Sequence, residues 1–132
     1  MPYWRAMNLV TQLFAIVAVL FHVVAFVLES FLFHRPNVQT FLLGRPEPSA
    51  GVRLWAFNQG FYNLFLAVGI VAGLALVAAG SVDAGRAIVL FACACMVAAG
   101  VVLFVSSRRF IRSASIQALP PLVAIVAMLV LK

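Results

Sequence analysis

Two ionisable side chains, His22 and Glu29, stand seven residues apart in an apolar run, and a later run carries Asn58, Gln59, Gly60, Phe61, Tyr62 and Asn63 in succession. Seven residues return to within about 20° of the same helix face while advancing about 10 Å. The pair therefore shares a face without touching, and anything that joins them is a water, a ligand or a side chain from another helix. The chemistry on offer is proton transfer, with an imidazole and a carboxyl as base and acid. The Tyr62 phenol completes the catalytic candidates. Asn58, Gln59 and Asn63, with Gln117 from a later run, are the candidate binding groups. At 100° per residue the four polar residues of the second run spread over an arc of about 140°. Pro120 and Pro121 follow Gln117, and because proline has no N–H they free the carbonyls of Ile116 and Gln117. Gly60 offers a neighbouring helix a close approach.

Other chemistries find no support. No phosphate loop or nucleophile motif is present. Cys93 and Cys95 are two apart, so on a helix their side chains point about 200° apart, and with no further ligands at suitable spacing they read as small apolar filler. Neither a metal nor a cofactor is expected.

The elements that must position these residues follow from composition. Hydrophobic residues make up 66% of the 132 and charged residues 9%. A soluble domain of this size cannot hide so much apolar surface. Apolar stretches at about 7–33, 54–79, 87–105 and 114–131 each reach or approach the roughly 20 residues that cross a hydrocarbon core. Backbone groups in lipid must pair internally, so these runs predict four membrane helices rather than barrel strands. The fold class expected is all-α, a polytopic membrane protein forming an antiparallel four-helix bundle, as one domain over 1–132. The first run follows Arg5, but it is too long for a signal peptide, holds His22 and Glu29, and ends without a small-residue cleavage site.

The formal net charge of +6 lies in or beside the short connections, which argues for a bilayer surface and against nucleic acid as partner. Arg35, Arg45, Arg53, Arg108, Arg109 and Arg112 fall on one side and Arg5, Arg86 and Lys132 on the other. The excess of arginine marks the cytoplasmic side, so a multi-pass protein of the cell membrane is expected, with both termini outside the cytoplasm. In that topology the first helix ends where the second and fourth begin. Glu29 and Asn58 then lie about 6 Å in from their helix ends, Asn63 about 14 Å and His22 about 16 Å, with Gln117 near the depth of Glu29 and Asn58. Seven polar side chains are thereby expected in the cytoplasmic half of one bundle. In the first connection, Phe41, Leu42 and Leu43 between arginines read as a patch lying on the membrane surface.

The same residues carry a resemblance. His22 and Glu29 with Ser30, Phe31 and Leu32, the segment Phe41 to Gly44, the run Asn58 to Ala67, and Gln117 leading into Pro120 resemble the small membrane proteins of the domain of unknown function 1304 family over nearly the whole chain. Pro121, and Phe33 where the family pattern would have Trp, are departures. The resemblance implies a membrane bundle of four helices and assigns no activity.

Three functions compete. The first is a site, binding and converting a hydrophobic or lipid-like small molecule by acid/base chemistry. The second is an accessory or structural subunit whose polar residues only join helices, with Glu29 reaching to the cytoplasmic surface or paired to Arg35; the small residues Ala72, Gly73, Ala98, Ala99 and Gly100 would then face a second copy or another membrane protein. The third is a proton-coupled transporter built around Glu29.

Overall fold

A computed structural model describes residues 7–46 and 49–131. Five α-helices follow one another: α1 (Leu9–Ser30), α2 (Pro36–Leu43), α3 (Ala50–Ala78), α4 (Val82–Ser106) and α5 (Ile111–Val130), with a single 3-10 turn, Arg108–Phe110, before the last. Strands are absent among the described residues. The four long helices are each apolar enough to cross a membrane. Their outward faces carry Leu20, Phe65, Phe91, Val105 and Leu129, all more than half exposed, which is the surface a helix presents to lipid rather than water.

The helices pack as a ring, α1 on α3, α3 on α4, α4 on α5 and α5 back on α1. Each long helix is thus antiparallel to its sequence neighbour, as the short connections require. Asn8 fixes the closing contact. Its side-chain oxygen caps α1 by accepting from the Thr11 N–H at 2.9 Å, while its amide donates to the carbonyls of Ala127 at 2.8 Å and Leu131 at 3.2 Å. One side chain therefore satisfies groups left open at a helix start and a helix end. Arg86, at the start of α4, donates to the Met128 carbonyl in the same way. The start of α1, the end of α5 and the α3–α4 turn share one end of the bundle; α2 and the 3-10 turn share the other.

Small residues set the spacing. The inward face of α1 is Thr11, Ala15, Ala18 and His22, at steps of three and four, and α3 answers with Ala56, Gly60, Asn63, Ala67, Ile70, Gly73 and Val77. Gly73 and Gly85 meet where α3 crosses α4: a methyl on Gly85 would lie 2.5 Å from the Gly73 carbonyl oxygen. Gly60 receives α1 closely, since a methyl there would fall 3.0 Å from the Phe26 carbonyl oxygen and against the Ser30 hydroxyl. Gly73 and Gly100, expected to serve a second copy or another partner, are instead buried in crossings within the chain; Ala72, Ala98 and Ala99 remain exposed. Cys93 is buried among Ile70, Val89 and Met96 in the core, and both cysteines are free.

The helix limits differ from expectation. α1 stops at Ser30 rather than near 33, because Pro36 holds Arg35 extended (φ −81°, ψ 127°) and the chain must turn before it. Pro36 then opens α2, a helix absent from the sequence reading, which ends on Gly44 in the left-handed region (φ 78°), where glycine is favoured. α3 begins at Ala50 behind the Ser49 cap, four residues before the expected start. α4 begins at Val82 and α5 at Ile111, also ahead of their apolar runs. Polar and charged residues at a membrane surface are compatible with helix, and hydropathy alone cuts them off.

Candidate functional site

The structure divides the seven candidate residues into three groups. Glu29 and Asn63 meet. Asn63 is buried on the inward face of α3, and its side-chain amide donates to Glu29 Oε2 at 2.7 Å and to the backbone carbonyl of Gln59 at 3.2 Å. Both of its amide hydrogens are engaged, and the first ties α3 to α1. Beside this pair the Ser30 hydroxyl donates to the Phe57 carbonyl at 3.1 Å, which is the contact that Gly60 makes room for. Glu29 makes no ion pair with Arg35 among the described residues.

His22 stands by itself, about two turns deeper than Glu29. It is fully buried, and its Nδ1 lies 2.9 Å from the carbonyl oxygen of Ala18. A carbonyl can only accept, so Nδ1 carries the proton and Nε2 of the neutral ring is a bare acceptor. Nε2 is buried and has no hydrogen-bond partner among the described residues. The Phe21 ring meets the imidazole edge-on with centroids 5.4 Å apart. As the spacing required, His22 and Glu29 share the inward face of α1 about 10 Å apart.

The remaining residues do not converge as expected. Asn58 is exposed, and its amide donates to the Leu54 carbonyl of its own helix at 3.1 Å. Tyr62 is 65% exposed and turned to the outside of the bundle, edge-on to Phe65. Gln59 is half-buried, contributing its backbone carbonyl to Asn63. The 140° arc therefore splits, with Asn63 inward and Asn58 and Tyr62 outward. Gln117 is half-buried on the stripe Ala114, Gln117, Pro121, Ala124 and Met128 of α5. It follows Ala114 on the stretch of α5 that packs on α4, where a methyl on Gly100 would meet Ala118 and the Ala114 carbonyl oxygen.

Two features escaped the sequence reading. Arg109 donates to the Leu43 carbonyl at 2.5 Å, with its guanidinium packed against Gly44 and over the Phe110 ring, 4.6 Å from its centroid; it holds the end of α2 against the start of α5. Asn8 closes the ring of helices. Its position just before an apolar run signals a helix cap, but nothing local signals its bonds to α5, which is 119 residues away in sequence.

No group of three or more His, Cys, Asp or Glu suited to a metal occurs among the described residues. An open surface hollow lined by Ile111, Arg112, Ser115 and Ile116 lies on the outside of α5, near its start.

No curated protein and no solved structure matches the chain. A family model described as a protein of unknown function (DUF1304) matches residues 16–129, which include His22, Glu29, the whole of α3 and Gln117. With most of its length matched, this multi-pass membrane protein belongs to the domain of unknown function 1304 family.

Proposed function

We propose that the inward faces of α1, α3 and α5 bind a hydrophobic or lipid-like small molecule inside the membrane, with His22 placed for acid/base chemistry on it. The observation that carries this reading is the bare Nε2 of a fully buried histidine. An unsatisfied buried polar atom costs about 1–3 kcal/mol, and ionisable side chains within membrane helices typically mark ligand or proton sites. A ligand group that donates to Nε2 removes that cost, and the same nitrogen can take the donated proton during a reaction. Glu29, steadied by Asn63, is the second polar anchor. Tyr62, facing outward, has no part in the site so defined. Glu29 is one residue from the end of α1, a position better suited to the rim of a site than to a midplane proton carrier.

The proposal includes an orientation. Six arginines, at positions 35, 45, 53, 108, 109 and 112, lie at the α2 end, whereas Arg86 begins α4 at the other. The α2 end is then cytoplasmic, both termini lie outside, and the ligand comes from the inner leaflet.

Native mass spectrometry of protein gently extracted from its own membrane tests the reading. A small hydrophobic or lipid-like adduct is expected on the wild type and on His34→Phe, and its loss is expected from His22→Phe, which keeps a ring but removes both nitrogens. An adduct that survives His22→Phe undiminished, or bare spectra for every form, refutes it.

A further inference from the structure

The polar atoms of the site are unequally engaged, and the imbalance has a chemical meaning. On the donor side, Asn63 uses both amide hydrogens, on Glu29 and Gln59. The Ser30 hydroxyl is held by Phe57, and the Asn8 amide, at the far end of α1, uses both hydrogens on α5. The His22 Nδ1–H is held by Ala18. On the acceptor side, groups are left over. His22 Nε2 is bare. Glu29 accepts through Oε2 alone, and neither Glu29 Oε1 nor Asn63 Oδ1 has a partner among the described residues. Pro120 and Pro121, both inside α5, cannot give the helical hydrogen bonds that the carbonyls of Ile116 and Gln117 would otherwise accept. The Gln59 and Gln117 side chains can serve either role. The inward faces of the long helices present no Lys or Arg at these levels.

We infer that the ligand is a hydrogen-bond donor: a long-chain amphiphile whose head carries hydroxyl or amine groups, not a fatty acid or a phosphorylated lipid. This rests on the proposed site and names its substrate class. A carboxylate or phosphate head brings acceptors to these acceptors, with only the Gln59 and Gln117 amides able to donate to it. It would leave Nε2 without a donor and bring a negative charge inside the bundle with no cation there to offset it. A hydroxyl or amine meets both needs, and two such groups on one head can donate to more than one of these acceptors. The tight crossing of α1 and α3 at Gly60 closes that side near Glu29, so the head passes between α1 and α5.

Three photo-crosslinking probes of equal C12 chain length, ending in an amine, a 1,2-diol or a carboxylate, separate the possibilities. Full-length protein in phosphatidylcholine nanodiscs is irradiated with each, and labelling of α1 and α5 that excess unlabelled 1,2-dodecanediol suppresses is counted. The expected result is about tenfold more suppressible labelling by the amine and the diol than by the carboxylate, the ratio that one unmet hydrogen bond sets, falling several-fold in His22→Phe. Suppressible labelling by the carboxylate equal to or above that of the other two overturns the donor inference while leaving the site in place. No suppressible labelling by any probe overturns both. The comparison of heads on the wild type stands whether or not the variant folds.

Discussion

At His22 a single substitution separates structure from function. His22→Phe removes a buried nitrogen that has no partner and keeps a ring of similar size, so the ligand-free protein is expected to gain about 1 kcal/mol of stability while losing ligand binding. Thermal unfolding in detergent checks this, and a marked loss of stability would mean that the His22 nitrogens support the fold, through the Nδ1–H bond to Ala18 or a structural partner of Nε2. Glu29 and Asn63 behave differently, because their bond joins two helices. A double-mutant cycle of Glu29→Ala and Asn63→Ala is expected to show a coupling of about 1 kcal/mol, typical of hydrogen bonds between membrane helices; additive effects would show that the pair contributes nothing to packing. The sequence placed His22 and Glu29 on one face by spacing alone, and that reading needs only the helix period. It could not separate Asn63 from Asn58 and Tyr62. Inward and outward faces of a membrane helix are both apolar, so the usual contrast between a wet face and a dry one, which assigns a polar arc in soluble helices, is missing here.

At the scale of elements, helix crossings govern stability. Gly85→Ala sets a methyl 2.5 Å from a backbone oxygen of α3, and the helices must separate to admit it, with an expected loss of about 1–3 kcal/mol. Gly69→Ala, whose methyl would meet only the Ala92 side chain at 3.8 Å, is expected to be neutral or to stabilise by a few tenths of a kcal/mol, since alanine is the better helix former. Parallel unfolding curves decide, and equal effects at the two positions would show that the α3–α4 crossing is not as close as described. The number and sequence of the long helices were legible from length and hydropathy. Their starts were not, because Arg53, Asp83 and Arg112 lie inside helices that run on past the apolar segments into the membrane surface. α2 was hidden for a related reason: an eight-residue helix is too short to show a period, and its limits come from Pro36 and Gly44 instead.

For the molecule as a whole, the distribution of arginine fixes the expected orientation. In a background with Cys93 and Cys95 replaced by alanine, Thr40→Cys on α2 should resist an impermeant thiol reagent applied to intact cells, while Ser81→Cys in the α3–α4 turn should react; the reverse pattern would invert the proposed topology. The ring of helices was predictable as an antiparallel bundle, but its closure through Asn8 was not, since a contact across 119 residues leaves no local signal.

The most direct test of the site is ¹⁵N magnetic resonance of histidine-labelled protein in lipid bilayers. The chain holds two histidines, so His34→Gln leaves His22 as the single source of signal. The predicted spectrum is that of a neutral ring protonated on Nδ1 with a bare Nε2, and addition of 1,2-dodecanediol should move the Nε2 resonance in the direction of an accepted hydrogen bond while laurate leaves it in place. A ring protonated on Nε2, or an Nε2 resonance that no amphiphile shifts, would contradict the proposal that His22 awaits a donor inside the bundle.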